Sequence, residues 1–302
     1  MNVYDSSRGG PFSRSMVIVF NPVAGKRQVQ RLWRVLDVLL QNGIKIDLAE
    51  TGHRGHAMLL AREAAERGAG LVVAAGGDGT IAEVANGLSR TRVRLGVIPL
   101  GTANVLAHEL GLPFAPRAVA QGLAFGRTRS VWPGVASGPA GERLFVQMLG
   151  VGFDAAVVHH LPVALKRVLG RGAYVMQCLR EVPRYGFPRL RVRLDGNSCE
   201  ASSVIVSKGR YYAGRYLLAP EARPDEPGFS VALFRGPGRL SALVGGALLP
   251  FDLLPRAPGL SLIRAGRIEI EDRVPAQADG DAAGHAPLSI SDAAAPIAIV
   301  SG

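Results

Sequence analysis

Ala74-Ala75-Gly76-Gly77-Asp78-Gly79-Thr80 is a glycine turn set between an apolar run and a helical pattern. The run leading into it, Leu71-Val72-Val73-Ala74-Ala75, is short, β-branched and halted by glycine, which predicts a buried strand. Beyond the turn, Ile81, Val84, Ala85 and Leu88 recur at helical spacing, with Glu83 in the first turn. Strand, turn and helix N-terminus together make an anion cradle. Backbone N–H groups point outward, the helix dipole favours negative charge, and the missing side chains let a phosphate approach. Asp78 departs from a pure phosphate cradle, because a carboxylate repels phosphate. It fits a Mg²⁺ lying between the two, or a role in handling a proton or a hydroxyl. The plainer alternative is a tight turn in a doubly wound sheet that binds nothing.

Outward from the turn, the same rhythm repeats. Met16–Phe20 reads as a strand ended by Asn21-Pro22, and Val23-Ala24-Gly25-Lys26 leads into a helix whose apolar face is Val29, Leu32, Trp33, Leu36, Leu39 and Leu40. Ile44–Leu48 is a second strand closed by Thr51, before a helix from about Gly55 to Arg67. Leu95–Ile98 is a fourth strand, followed by Gly101-Thr102-Ala103-Asn104 and a short helix ending at Gly111. This alternation predicts a parallel sheet with helices on both faces, in which ligands bind beyond the carboxyl ends of the strands. Asn21–Lys26, Thr51, Gly76–Thr80 and Gly101–Asn104 therefore converge on one crevice.

Past Arg129 the pattern changes to short runs near Leu144–Leu149, Leu190–Leu194, Ser203–Ser207, Phe229–Phe234 and Ile268–Ile270, separated by Gly and Pro. That is the rhythm of an antiparallel β domain. Val163–Glu181 reads as a helix carrying Lys166, Arg167, Arg171 and Arg180 beside Leu165, Leu169, Tyr174 and Met176, either a domain-surface helix or a basic element lying on a membrane. The expected organisation is a loose tail over 1–15, an α/β nucleotide domain over 16–131 and a β-sandwich over 132–287. The final strand within 288–302 returns to the first domain.

The 302 residues are 48% hydrophobic, ample for a buried core. Two cysteines, Cys178 and Cys199, make neither a disulfide framework nor a thiolate metal site, so a reducing, cytoplasmic setting is expected. The polar, glycine-rich start lacks the apolar segment of a signal peptide, and Leu240–Leu254 is too short and too broken to span a bilayer. A net charge of +11 points to an anionic partner. Few aromatics stand among the basic residues, which disfavours nucleic acid and suits an anionic lipid interface. High arginine content from codon bias is the plain alternative.

Gly77-Asp78-Gly79-Thr80-Ile81-Ala82 formally matches the dinucleotide fingerprint G-x-G-x-x-A. No acidic residue stands at Ile98-Pro99-Leu100 to hold a ribose, and the turn follows the third strand, so a nicotinamide enzyme is disfavoured. Neither the Walker pattern nor G-x-S-x-G occurs. Phe20-Asn21-Pro22-Val23-Ala24-Gly25, Gly76-Gly77-Asp78-Gly79-Thr80 and Gly101-Thr102-Ala103-Asn104, in this order and spacing, resemble the three nucleotide-site motifs of the diacylglycerol kinase catalytic family, which includes bacterial soluble lipid kinases and sphingosine and ceramide kinases. The resemblance is strong over Met16–Arg129 and weaker beyond.

It implies a two-domain, ATP- and Mg²⁺-dependent kinase whose sandwich holds a lipid. Asn21, Pro22, Val23, Ala24, Gly25, Thr51, Gly76, Gly77, Asp78, Gly79, Thr80, Ile81 and Thr102 would surround ATP, with Asp78 acting near the phosphates and metal. Ser207-Lys208-Gly209 through Gly214, Ala219-Pro220-Glu221-Ala222 and Asp225-Glu226 resemble the family's metal-supporting loop. Asp279-Gly280-Asp281 resembles its late Asp-Gly-Glu motif, so either Asp279 or Asp281 supplies the catalytic base. Three departures stand out: Asp225-Glu226-Pro227-Gly228 replaces an Asp-Asp-Gly-Leu type of loop, with Arg223 where a ligand carboxylate is expected. Ser207-Lys208-Gly209 replaces Asn-Asn-Gly, and Asp281 shortens the usual Glu. The resemblance thus implies phosphoryl transfer to a lipid hydroxyl at the inner membrane surface, by a protein that could form a homodimer. A NAD kinase and a catalytically weak nucleotide- and lipid-binding regulator are the alternatives.

Overall fold

The computed structural model describes residues 15–22, 26–162, 165, 171–236 and 238–301. The expected tail lies outside them except for Ser15, and so do Val23, Ala24 and Gly25 of the first turn and Lys166, Arg167 and Leu169 of the expected basic helix. The first lobe is built on β1 (Ser15–Phe20), β2 (Lys45–Glu50), β3 (Leu71–Gly76) and β4 (Arg94–Pro99), paired in parallel in the order β2-β1-β3-β4. Every residue of β3 is buried, as expected of a central strand covered on both faces.

Successive side chains of β3 feed opposite cores. Leu71, Val73 and Ala75 face α1 (Lys26–Gln41) and α5 (Pro116–Phe125), while Val72 and Ala74 face α2 (His56–Glu66), α3 (Asp78–Leu88) and the short α4 (Val105–Glu109). The sheet is therefore doubly wound. The apolar face of α1 differs from its expected membership. Leu32, Val35, Leu36 and Leu39 are buried, whereas Trp33 and Leu40 are exposed. Those two stand seven residues apart and share a flank rotated away from the sheet.

Past β5 (Arg127–Val131), two six-stranded antiparallel sheets form a sandwich. One runs in the order Asn197–Ala201, Leu190–Leu194, Ile268–Ile270, Leu288–Asp292, Gly134–Gly138 and Gly141–Phe145. The other runs Leu260–Ala265, Phe229–Phe234, Ser203–Ser207, Met148–Gly152, Pro275–Ala278 and Asp281–His285. Phe145, Val192, Ile268 and Ile290 of the first meet Val151, Val204, Val206 and Val231 of the second in one core.

The single run expected at Leu144–Leu149 is two strands in different sheets, Gly141–Phe145 and Met148–Gly152, with Val146 and Gln147 between them. A continuous apolar run conceals this crossing, because both strands bury their side chains. Of the expected return over 288–302, Leu288–Asp292 stays in the sandwich. Ile297–Ser301 enters the first sheet, parallel to β4 and antiparallel to β5.

Where α2 crosses α3, the backbones meet at Gly87: a Cβ there would stand 2.4 Å from the Met58 carbonyl oxygen and 2.8 Å from Ala61 Cβ. Gly87→Ala is expected to destabilise the protein by about 1–2 kcal/mol, since overpacking outweighs the gain in helix propensity. The urea midpoint should fall with an unchanged m-value; an unshifted midpoint would show that the two helices separate freely.

Candidate functional site

The crevice lies at the carboxyl ends of the parallel strands, where backbone bonds tie successive turns together. Asn21 N–H donates to the Ala75 carbonyl at 3.1 Å, Thr51 N–H to Phe20 at 2.9 Å, and Leu100 N–H to Gly76 at 2.9 Å. Thr80 lies over Gly76, where a Cβ would meet its hydroxyl at 2.4 Å, and Asn21 Nδ2 donates to that hydroxyl at 3.3 Å. The turn after β3 then touches the turn after β4 backbone to backbone. A Cβ on Gly101 would lie 2.5 Å from Gly77 Cα, and Asn104 clasps Gly101 through its Oδ1 and Nδ2, both at 2.8 Å.

Asp78 opens α3 and accepts the Val105 N–H at 2.7 Å, so its carboxylate closes the N-terminal end of α4. Burial pushes its carboxyl above the usual range, against the pull of the Val105, Leu106 and Asn104 amides. The N-cap of α3 is Gly77, which has no side chain to cap the helix, and the Asp78 carboxylate meets its own N–H, so an anion would meet the amides that follow.

The second lobe brings Asp279-Gly280-Asp281 to the same place. Asp279 takes a left-handed backbone conformation, φ 50°, and turns its carboxylate inward. Oδ2 accepts the Val146 N–H at 2.8 Å, and Oδ1 accepts those of Gln147 and Met148 at 2.9 and 3.0 Å. This carboxylate therefore pins the crossing between the two sheets. Burial pushes its pKa up to about 6, more than the three amides pull it down, and Asp78 adds to the rise. Asp281 points the other way: a Cβ on Gly79 would stand 3.0 Å from its Oδ2. Arg143 approaches the same oxygen at 3.9 Å. Asp78, Asp279 and Asp281 thus gather around the glycine turn, with different surroundings.

Among the residues expected around ATP, Asn21, Gly76, Gly77, Gly79 and Thr80 line these touching turns, while Pro22 and Thr102 are exposed at the rim and Thr51 is half-buried. Ile81 is not at the crevice surface. Its side chain is fully buried in the core under α3, and its N–H donates to the Gly77 carbonyl. The helical period that marks Ile81 as core is the stronger signal at that position.

Asp225 and Glu226 do not join Asp78. Both are exposed, and Glu226 pairs with Arg264 at 3.2 Å. Two carbonyls of this loop and a carboxylate from the strand Leu288–Asp292 surround the ammonium of Lys208, a buried side chain: the Glu226 carbonyl at 3.1 Å, the Gly228 carbonyl at 2.9 Å and Asp292 Oδ1 at 2.8 Å. The ring of Phe229 lies 4.7 Å from Nζ. Burial lowers the Lys208 pKa, and Asp292 opposes that shift. An internal cation thus organises the loop assigned to metal support.

Residues that sequence reasoning passed over support the Asp279–Asp281 turn. Gln277 accepts the Gly280 N–H at 2.8 Å and donates to Asp154 at 2.7 Å, and Tyr212 donates its hydroxyl to the same carboxylate. Asp154 is raised by burial despite these bonds. Its only sequence signal is its place directly after a strand, in Gly152-Phe153-Asp154.

Among the described residues no three His, Cys, Asp or Glu side chains converge as a self-sufficient metal group. The uncapped α3 amides and the close glycines fit a phosphate chain. No helix among the described residues is long and apolar enough to cross a membrane.

Residues 15–135 match the diacylglycerol kinase catalytic domain family, and residues 147–300 match the YegS C-terminal NAD kinase beta sandwich-like domain. A Pseudomonas putida protein named "probable lipid kinase YegS-like" is 32% identical over 239 residues, covering 74% of this chain and 79% of its own length. A Bacillus subtilis diacylglycerol kinase is 31% identical over 228 residues, covering 72% and 73%. The fold is similar to that of a solved Bacillus anthracis protein described as a candidate diacylglycerol kinase, with a TM-score of 0.79 at 22% identity over 99% of both chains.

Two outcomes follow from the buried charges. Lys208→Met leaves two carbonyls without their donor and the Asp292 carboxylate without its cation, so a loss of about 3 kcal/mol in chemical denaturation is expected. Chelation should leave wild-type stability unchanged; a drop on chelation would place a metal in this loop. Asp279 has a raised folded pKa, so its share of stability is fully present below about pH 4 and is lost as pH rises through about 6. Asp279→Asn keeps the left-handed backbone but loses an acceptor. Its deficit relative to wild type should be larger near pH 4 than at pH 7, by about 2–3 kcal/mol. A deficit independent of pH would show that folding leaves the Asp279 pKa at its unfolded value.

Proposed function

Because this chain belongs to the diacylglycerol kinase catalytic family, we propose that it is an ATP- and Mg²⁺-dependent lipid kinase transferring the γ-phosphate to a lipid hydroxyl, such as that of diacylglycerol or a sphingoid or ceramide lipid. The observation that carries this reading is the position of Asp281 over Gly79, at the uncapped N-terminus of α3. A phosphate chain laid along the glycine turn meets backbone amides on one side. On the other it meets a carboxylate free of backbone anchoring bonds.

Phosphoryl transfer depends mainly on positioning and charge neutralisation. Gly77, Gly79 and Gly101 let the phosphates approach the backbone, and the α3 amides and dipole hold them. Asp78 is the residue that would hold Mg²⁺, which when bound would neutralise charge on the phosphate oxygens. A lipid hydroxyl is a weak nucleophile, so a base must take its proton during attack. Asp281 suits that task, since Asp279 already accepts three backbone N–H groups and its displacement would release the Val146–Gln147 crossing. The proton passes from the lipid oxygen to the Asp281 carboxylate as the bond to phosphorus forms and the terminal phosphate separates from ADP.

The test is transfer of label from γ-labelled ATP into mixed micelles of diacylglycerol, sphingosine, ceramide or phosphatidylglycerol, with NAD in a parallel tube. Label should enter one lipid class. Asp281→Asn should lower kcat about 10³-fold with little change in lipid KM, and Asp78→Asn should abolish transfer with the fold intact. Wild-type turnover in Asp281→Asn would remove the base assigned here. Label in NAD would make the acceptor a dinucleotide, and ATP binding without any label would favour a regulator.

A further inference from the structure

The segment between Glu226 and Asp252 contains no acidic residue and holds a helix, Gly238–Leu248, in which only Gly245 is buried. A soluble helix ordinarily buries one apolar stripe and shows a polar face to water. This one shows water an apolar ridge instead. Leu240 and Leu243 are 61% and 47% exposed, Ala247 is exposed, and Phe251, in the 3-10 turn that continues the helix, is 73% exposed. The spacing 240, 243, 247 and 251 keeps these residues on one side.

The surrounding charge says what the ridge fits. Arg184, Arg235 and Arg239 are exposed around the start of the helix, with Arg239 tied to the Pro183 carbonyl at 3.0 Å. A cation at a helix N-terminus works against the dipole, so Arg239 adds nothing to the helix itself. Asp252, the first acid after the ridge, gives its carboxylate to the Leu217 N–H at 2.8 Å. Apolar residues flanked by arginines complement an anionic lipid surface. A second copy would instead bring its own arginines and net charge of +11 against these.

The opposite side of the helix leads to the phosphoryl-transfer site. Leu248 and Leu249 pack on a cluster that contains Leu254, Leu218, Met148 and Val105, and Val105 N–H holds Asp78. We infer that the helix Gly238–Leu248 and the turn through Phe251 form a membrane-docking ridge. It seats in the headgroup–acyl boundary of an anionic bilayer, and the buried cluster behind it fixes the ridge to the body of the protein. This rests on the lipid-kinase reading above for its purpose but not for its test.

The full-length protein would be sedimented with phosphatidylcholine vesicles, with and without phosphatidylglycerol, as wild type, Leu243→Ser/Phe251→Ser and Arg239→Gln. Transfer to a short-chain diacylglycerol below its micellar concentration would be measured in parallel. The double variant should lose about tenfold or more of its vesicle partitioning, since two exposed side chains no longer leave water. Arg239→Gln should lose binding only to the anionic vesicles. Transfer to the dissolved acceptor should stay within about twofold of wild type. A Phe251→Trp variant offers a readout in a protein without lost apolar surface, and its emission should shift to the blue on vesicle addition. Wild-type partitioning of the double variant, or an unshifted emission, overturns the proposal. So does a wild-type dimer that the double variant converts to monomer, which would make the ridge a contact between copies. Vesicle binding that behaves as expected while no lipid accepts label would remove the kinase reading and leave the docking ridge standing.

Discussion

Gly77 and Gly101 touch through their main chains, and a Cβ on Gly101, 2.5 Å from Gly77 Cα, would force the turns after β3 and β4 apart. With the gap closed, Asp78 reaches the Val105 N–H, and the N-terminus of α4 is satisfied by a carboxylate from the neighbouring turn. Two turns from different strands therefore share one set of backbone groups. The crevice they form is thus closed by contacts within the protein's own backbone. A side chain at 101 would separate the strand ends and with them the amides, the Asp78 carboxylate and the floor under Asp281.

Much of this was legible because the signals are local. A buried parallel strand is a continuous apolar run, a helix repeats every 3.6 residues, and the three nucleotide turns are contiguous segments. What escaped reading depends on partners far apart in the chain. Leu144–Leu149 looks like one strand because both strands it joins are buried. The break at Val146–Gln147 is set by Asp279, more than a hundred residues later. Asp279 and Asp281 are two residues apart and chemically alike, and two successive left-handed residues, Asp279 and Gly280, send one inward and leave the other over Gly79.

Lys208 illustrates the same limit from the side of charge. Its sequence neighbours Ser207 and Gly209 give no sign that it is buried, and its oxygen partners come from Glu226, Gly228 and Asp292. A lysine so placed carries its compensating groups with it, and its ammonium supplies the positive charge around which a turn of carbonyls can fold. Phe229 closes the cage with its ring face, a further attraction for the cation. The exposed acids of that loop are then free to serve surface pairs, as Glu226 does with Arg264.

The carboxylates at the glycine turn come from different lobes, Asp78 from the first and Asp281 from the second, so their alignment depends on what joins the lobes. Three side chains of the first lobe do so by reading backbone of the second. Asn86 exchanges two bonds with Leu144, at 3.0 and 3.2 Å. Glu109 accepts the N–H groups of Arg210 and Tyr211 at 2.7 and 3.2 Å, and Arg54 donates to the Ala282 carbonyl at 2.9 Å. The last of these falls beside Asp281 itself. Bonds to main-chain groups hold the strands in register whatever side chains those strands carry. The sandwich surface can therefore vary to suit an acceptor while the distance from the glycine turn to Asp281 is kept.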